Sequence, residues 1–277
     1  MKKGVKIAIV AAVVLVLAGV GCGWYFLYEK PHSEAVSAFG SAAANVESKN
    51  AELMAAIDSA QAVIDTGEQP LEPTTISDLQ TLIATARAEL RVVPEIPSGT
   101  EEILAAADEL GKPLDYSQQI AELGSGEQTL EDSIRQLKQV TQPTEAFVVE
   151  RLGGIETITG MAAVTEDHDP NGNLNKSGGY TACICFSESQ VDRSKIYNDN
   201  GDIIEVGTDG GGCIEVYATP EEAEKRRDYL AGFDGSILAN GSHSVVGTVL
   251  VRTSNYLTAT QQIELESQIV DSLIELR

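Results

Sequence analysis

The spacing of hydrophobic positions changes along this chain, and the first pattern is an apolar run at residues 7–28. The run contains 22 residues and no charged side chain. A helix rises about 1.5 Å per residue, so the run spans about 33 Å, enough for the roughly 30 Å hydrocarbon core of a bilayer. We therefore predict a transmembrane helix near the N-terminus.

The flanks of this run predict its orientation. Lys2, Lys3 and Lys6 precede it, and aromatic residues crowd its far end, where amphipathic rings favour the headgroup layer. The positive-inside rule keeps the short N-terminal tail in the cytoplasm and places residues 31–277 outside. The expected localisation is the cell membrane, single-pass, with the C-terminal part extracellular.

Two other roles of the run are open: a cleaved signal peptide and a lipoprotein signal ending at Cys22. A cleaved signal usually has an apolar core of about 7–15 residues before a small-residue site, whereas this run is longer and ends in aromatic rings. A lipoprotein signal has a branched aliphatic residue where this chain has Gly19, and here the apolar run continues past Cys22. These differences favour an uncleaved anchor.

Residues 31–142 follow a helical period and predict a small bundle or stalk. Apolar residues recur every three or four positions, which places them on one helical face. Proline and glycine separate the predicted helices, and the last helix is expected to loosen at Gly124–Gly126. An ordinary bundle core explains these stripes better than a surface for partner helices. The clearest stripes comprise Leu53, Ile57, Ala60 and Ile64, and Ile76, Leu79, Ile83, Ala86 and Leu90.

Residues 143–277 are richer in glycine, Asn, Asp and β-branched residues and predict a separate head domain. Asn200-Gly201 is a strong hairpin signal. Val245–Val251 is apolar on both faces, so that strand should lie at the centre of a sheet. The predicted strands are Thr157–Val164, Gly179–Ser187, Lys195–Asn198, Ile203–Val206, Cys213–Tyr217 and Val245–Arg252.

Two helices complete the head. Thr219-Pro220 begins one of them, with Glu222 placed to close a capping box, and Thr258 begins the other. The fold class is therefore α+β, with a mostly antiparallel sheet and two helices in the head. The domains are the tail and anchor at 1–30, the bundle or stalk at 31–142, and the head at 143–277.

The charge distribution excludes one class of partner. The whole chain carries −23 at pH 7, whereas residues 1–30 hold four Lys and one Glu, so residues 31–277 carry −26. This field repels phosphate backbones, and we expect no nucleic-acid partner. It favours cations, although a solvated surface explains most of an acidic excess.

The sharpest local motif is a run of oxygen-bearing residues at 167–175. Oxygen side chains at positions 1, 3 and 5, followed by Gly172 at position 6, match the first half of a calcium loop, in which a tight turn folds alternate side chains onto one hard cation. We therefore predict weak binding of calcium, in the ~10⁻⁴–10⁻³ M range of extracellular modules. The predicted ligands are Asp167, Asp169, Asn171, Asn173 and Asn175.

The second half of the calcium motif does not match. Gly178 stands at position 12, where a bidentate Glu belongs, and Pro170 interrupts the loop. Glu166 or Asp209 would have to complete the shell. The alternative is a long connection built from Asx turns, in which Asp and Asn side chains bind nearby backbone N–H groups.

Three cysteines lie in the predicted sheet. Cys183 and Cys185 are two residues apart and so share a face, and alternation turns Cys213 to the same face. Pairing of adjacent strands would bring Cys213 to bonding distance of Cys183 or Cys185. Three free thiols are the alternative. The spacing contains neither a Cys-x-x-Cys redox motif nor a zinc pattern.

No catalytic constellation stands out, and we expect no enzymatic activity. His32, His168 and His243 have no metal-ligand spacing. Ser242-His243-Ser244 lacks a nucleophile-elbow motif, so a turn or strand entry is the better interpretation.

Several strings of the head carry a resemblance to known proteins. They are Thr165–Gly172, Gly179–Thr181, Ile214–Tyr217, Ala223 with Arg226, Tyr229-Leu230, Val251-Arg252 and Leu257-Thr258. In these strings the head resembles a family of uncharacterised membrane-anchored proteins and lipoproteins on the surface of Gram-positive bacteria. The helical region is also similar to the short three-helix modules of large Ebh-type adhesins. The resemblance implies a cell-surface location and an interaction role, without an activity assigned to any residue.

Together these features predict a cell-surface, membrane-anchored, non-catalytic binding or envelope-organising protein, stabilised by calcium. Its expected partners are the membrane, through the N-terminal helix, and an extracellular protein or cell-wall component. One alternative is a receptor-like head for a small molecule or peptide, which an apolar pocket with convergent polar groups would favour. The other is a cell-wall hydrolase, which would need a buried carboxylate pair in a cleft.

Overall fold

The computed structural model of the chain describes residues 17, 19–21, 23–236 and 241–277. Most of the predicted membrane run lies outside these residues. In the described ranges, no helix combines the length and the apolar character needed to cross a membrane. A short π-helical stretch at Tyr25–Glu29 precedes the first long helix.

The chain forms two compact units. One comprises Met1–Gly67 and Ile76–Gln128, and the other Glu68–Thr75 and Thr129–Arg277. The division differs from the expected one at residue 142 because the last turns of a long helix belong with the sheet. Val140, directly after this helix, is fully buried in the core of the second unit.

The first unit is helical, as the 3.6-residue period predicts. Its helices are α1 (Lys30–Asp65), α2 (Thr74–Glu89), α3 (Thr100–Leu110) and the first part of α4 (Ser117–Gln139). Six of the nine stripe residues are buried and three are half-buried. The buried residues are Leu53, Ile57, Ala60, Leu79, Ile83 and Ala86, and the half-buried ones are Ile64, Ile76 and Leu90. The expected loosening of α4 is wrong, because the helix runs through its glycines without interruption.

The second unit contains one antiparallel sheet, as expected for the α+β class. Its spatial order is β1-β2-β3-β5-β4, so β1 and β4 lie at the edges. Three helices accompany it: α5 (Glu145–Leu152), α7 (Pro220–Ala231) and α8 (Ala259–Ile274). The strands are β1 (Ile158–Ala163), β2 (Ala182–Glu188), β3 (Gly211–Val216), β4 (His243–Val246) and β5 (Val249–Thr253).

Both faces of the three inner strands are buried. Ile184, Ile214 and Val251 belong to a core that also contains apolar residues of α5 and α8. Cys183 and Leu250 belong to a second core that contains residues of α7 and of the 164–180 segment. The central position predicted for the strand at 245–251 is therefore confirmed for β5.

Two predicted strands and one predicted hairpin are wrong. Residues 195–198 are not a strand, and Ile203–Val206 is a short helix, α6. Asp202 caps α6 by accepting hydrogen bonds from the N–H groups of Ile204 and Glu205, at 2.9 and 3.1 Å. Asn200 accepts from the Asp202 N–H, so the polar side chains of this segment bind local backbone and compete with strand pairing.

The single strand predicted at 245–252 is in fact a hairpin of β4 and β5. Gly247 has φ +58°, a left-handed conformation that favours glycine, and with Thr248 it joins the two strands. Thr248 donates its N–H to the carbonyl of Val140 at 2.9 Å. The turn is difficult to predict from the sequence, because the residues around it favour a strand and Gly247 is its single turn-forming residue.

Two glycines of α4 give a matched test of packing against helix propensity. A Cβ at Gly124 meets no atom within 4 Å, whereas one at Gly126 would lie 2.8 Å from Leu82 Cδ1. We expect Gly124→Ala to raise the free energy of unfolding by up to about 1 kcal/mol. Gly126→Ala should be less stable than Gly124→Ala because Leu82 must move. Equal stability of the two variants, in urea titrations followed by circular dichroism, would contradict this packing of α2 against α4.

Candidate functional site

The predicted calcium loop is organised around the carboxylate of Asp169. Its Oδ2 accepts the N–H groups of Asn173 and Leu174, both at 2.7 Å. Its Oδ1 accepts the N–H of Asn171 at 3.1 Å and the hydroxyl of Tyr180. Both oxygens therefore hold hydrogen bonds of the Asx-turn kind, and a cation on Asp169 would have to displace donors.

The other predicted ligands are arranged by the same turns. Asn175 has φ +58° and donates its amide to Glu166 Oε1 at 3.0 Å. The carbonyl of Asn173 accepts the N–H of Lys176 at 3.2 Å. Asp167 is exposed. Calcium binding at these residues stays a prediction, and the hydrogen bonds supply the alternative account of the loop.

Together, the hydrogen bonds to Asp169 change its pKa more than burial does. Burial alone would raise the pKa of this carboxyl group, but the hydroxyl of Tyr180 and three backbone N–H groups together hold the pKa below its ordinary value. The loop is therefore most stable with Asp169 ionised.

Removing this carboxylate should destabilise the second unit. We expect Asp169→Ala to lower the free energy of unfolding by about 2–3 kcal/mol, because several N–H groups lose a charged acceptor. The exposed neighbour Asp167→Ala is the control, with a change within about 0.5 kcal/mol. Since the folded pKa is depressed, the stabilisation is complete above the unfolded pKa of about 3.9 and is lost as pH falls through the folded pKa.

Melting curves at neutral pH with millimolar calcium and with chelator separate the two accounts of the loop. The hydrogen-bonded turns predict the same melting temperature in both conditions. A calcium-dependent rise in wild type that disappears in both Asp169→Ala and Asp167→Ala would establish the ion site instead.

The histidines and Ser242 do not form a catalytic arrangement. His168 Nε2 lies 3.1 Å from Glu205 Oε1, and His243 Nε2 lies 3.6 Å from Asp234 Oδ2. Ser242 Oγ contacts Glu266 Oε2 at 2.7 Å. Each group is held by a different carboxylate.

A buried charge network that the motifs did not reveal crosses one face of the sheet. Glu215 on β3 is 1% exposed, and its Oε1 accepts from Arg252 Nη1 of β5 at 2.7 Å. Its Oε2 accepts from the hydroxyl of Tyr217 at 2.6 Å and from Arg226 Nε of α7 at 3.3 Å. One feature of the sequence could have indicated a buried charge here: Glu215 is an acidic residue within the otherwise apolar strand segment Ile214–Tyr217.

The cysteines share one face, as the alternation predicts. Cys185 lies directly opposite Cys213 in the β2–β3 register, and these two form a disulfide. Cys183 is free and buried. The structure thus selects Cys185 between the two open pairings, because only that residue is in register with Cys213. Burial, followed by the nearby Glu215, raises the pKa of the Cys183 thiol.

The second unit contains a groove of about 680 Å³ beside the edge strand β4. The groove is lined by residues of β4, by Pro220 and Glu224 of α7, and by residues of α8. In this unit α8 contacts β5 and α5, whereas α7 contacts β4 and β5. Apolar lining residues are Leu71, Leu137, Val245, Val246, Ile263, Val270 and Ile274.

The register fixes which backbone groups face the groove. Thr253 donates its N–H to the Ser242 carbonyl, so 242 and 253 are a hydrogen-bonded pair, and such pairs alternate along an antiparallel ladder. The backbone groups of His243 and Val245 therefore point away from β5. No described strand pairs with that side of β4.

Comparison with known protein families, curated proteins and solved structures found no match. The resemblance to Gram-positive surface proteins therefore stays a hypothesis, and the function must be inferred from the geometry of the chain.

Proposed function

We propose that the protein is a membrane-anchored, non-catalytic binding module of the cell surface whose sheet unit takes up an extended polypeptide at the free edge of β4. The observation that carries this proposal is the groove with apolar lining along an edge of β4 that no strand of the described residues pairs with. Of the two alternatives raised by the sequence, the groove favours a peptide-binding receptor over a hydrolase.

Strand addition suits this site because it uses both backbone and side-chain contacts. An incoming strand would pair with the outward N–H and C=O groups of His243 and Val245. Its alternate side chains would enter the apolar flank lined by Val270 and Ile274. Ile263, which is 67% exposed, would be covered by the same partner.

Charge selects the chemistry of the occupant. The groove is lined by four acidic residues, and none of its described lining residues is Lys, Arg or His. A strand with alternating apolar and basic side chains would therefore be attracted, whereas a second copy of this acidic chain would be repelled. The acidic lining residues are Glu72, Glu224, Glu266 and Asp271.

Membrane anchoring is the second part of the proposal. It rests on the uncharged apolar run at 7–28 and on the basic residues before it. Such an anchor would hold both units outside the membrane, where a binding edge meets extracellular polypeptides and where calcium at 167–175 would act.

Binding of a labelled peptide of alternating valine and lysine, about six residues long, tests the groove by fluorescence anisotropy. Val245→Pro removes one outward N–H without removing a bond to β5, and should weaken binding at least tenfold. Asp271→Lys should weaken it similarly at low salt, whereas Glu150→Lys, an exposed change on α5, should have little effect.

The same binding assay includes a control peptide and can also contradict the proposal. A peptide with glutamate in place of lysine should bind at least tenfold more weakly. Absence of binding at millimolar peptide, or equal binding by wild type and Val245→Pro, would contradict strand addition at β4.

The anchor is tested by fractionation and by protease treatment of intact cells. We expect the chain to sediment with membranes, and a C-terminal tag to be digested from outside. Val13→Lys with Val14→Lys should release the chain or block export, since each lysine costs about 2.5–3.5 kcal/mol at the centre of a membrane helix. Val13→Leu with Val14→Leu is the matched control, and recovery of the lysine variant in membranes would refute the anchor.

A further inference from the structure

The three head cysteines form one compact sulfur cluster. Register places Cys185 opposite Cys213, and Cys183 lies two residues along β2 on the same face. The three Sγ atoms lie within 4.8 Å of one another. All three side chains are buried, with exposed fractions of 2–4%. The Cys185–Cys213 disulfide uses two of these sulfur atoms, and the thiol of Cys183 remains beside it.

We propose that the reduced form of this cluster is a metal site, in which the thiolates of Cys183, Cys185 and Cys213 bind one soft cation of the zinc class. Zinc–sulfur bonds are about 2.3 Å long, so thiolates that share one ion lie about 3.8 Å apart. Small changes of side-chain torsion bring the sulfurs to that spacing once the disulfide is open. The disulfide and the metal site are therefore exclusive states of the same residues.

A dithiol reductant converts the disulfide form of the cluster into the form that binds the metal ion. The dithiol gives two electrons and two protons to the Cys185–Cys213 bond and becomes a disulfide itself. The sheet then holds three thiols. A divalent cation replaces their three protons, which pass to solvent, and the site carries a net charge of −1.

The neighbouring charge network compensates this negative charge. Glu215 lies opposite Cys183 in the register, and it is shared by Arg252 and Arg226. One carboxylate and two guanidinium groups leave a net charge of +1 beside the thiolates. The ionised carboxylate of Asp169 also acts on the Cys183 thiol. A divalent cation therefore leaves less uncompensated negative charge around the three thiolates than a monovalent cation would.

The surrounding residues favour a thiolate ligand set over a hydrated one. Tyr180, Tyr217 and Leu250 belong to the same core as the three cysteines. Thr208 donates its hydroxyl to Cys213 Sγ at 3.8 Å, a contact from outside the ligand set that stabilises a thiolate there. Soft sulfur ligands in such a setting select zinc-like ions and reject calcium and magnesium.

Cadmium is the direct probe, because its thiolate charge-transfer absorption reports cadmium–sulfur bonds. Full-length protein in detergent is reduced with a dithiol, desalted without oxygen and titrated with cadmium. We expect one ion per reduced chain and none per oxidised chain, with zinc competing for the site and calcium not competing.

Two cysteine variants make the test specific. Cys183→Ser keeps the residues of the disulfide and should weaken cadmium binding at least tenfold and lower the absorption band by about one third, in proportion to the ligands lost. Cys22→Ser removes the remaining cysteine, outside the cluster, and should leave the band unchanged. A band of undiminished height with unchanged affinity in Cys183→Ser, or no binding by the reduced chain, would overturn the site.

Alkylation provides a readout that does not depend on the variants. Bound cadmium or zinc should protect all three cluster thiols from iodoacetamide, as measured by peptide mass spectrometry. Circular dichroism records whether reduction unfolds the sheet. If reduction unfolds it and the metal neither refolds it nor protects the thiols, the proposal fails.

Discussion

The hydrogen-bonded core of β2, β3 and β5 is the constraint on which the rest of the sheet unit depends. All residues of β3 and β5 are buried, so both faces of these strands must be covered by other parts of the chain. One cover consists of α5 and α8, and the other of α7 with the segment before β2. A sheet with only one cover would leave a large apolar face in water.

Glu215 gives this arrangement its specificity. Its carboxylate on β3 pairs with Arg252 on β5 and with Arg226 on α7. Both pairs form only when the strands are in the observed register and α7 is in its observed position. Buried ion pairs add little net stability, because desolvation offsets their attraction, but an unpaired member is costly. A shifted register or a displaced α7 would leave such a charge unpaired.

The candidate sites follow from the same two covers. Since α7 and α8 pack on opposite faces, the edge of β4 is left between them, and the groove is the gap that results. The cysteine cluster lies under α7 because its residues alternate with the core of the other face. The groove lies at the edge strand β4, whereas the cysteines lie on the inner strands β2 and β3, so the groove does not require the cysteines.

Local patterns predicted the candidate site only in part. The motif predicted that Asp169 binds a cation. In the structure its carboxylate instead accepts hydrogen bonds from N–H and O–H groups of the same segment of chain. Alternation identified the common face of the cysteines. Glu215 could not be assigned from its neighbours in sequence, because its two arginines come from residues 226 and 252, which only folding brings to it.

The sequence by itself determined the helices of the first unit, the two long helices beside the sheet and the inward faces of the inner strands. These features depend on side-chain period and capping within a few residues. Tertiary structure decided the division of Val245–Arg252 into a hairpin, the replacement of a strand by α6, the pairing of Cys185 with Cys213 and the open edge of β4. Each of these depends on which distant backbone or side chain is near, and the free energy of such contacts is absent from any local pattern.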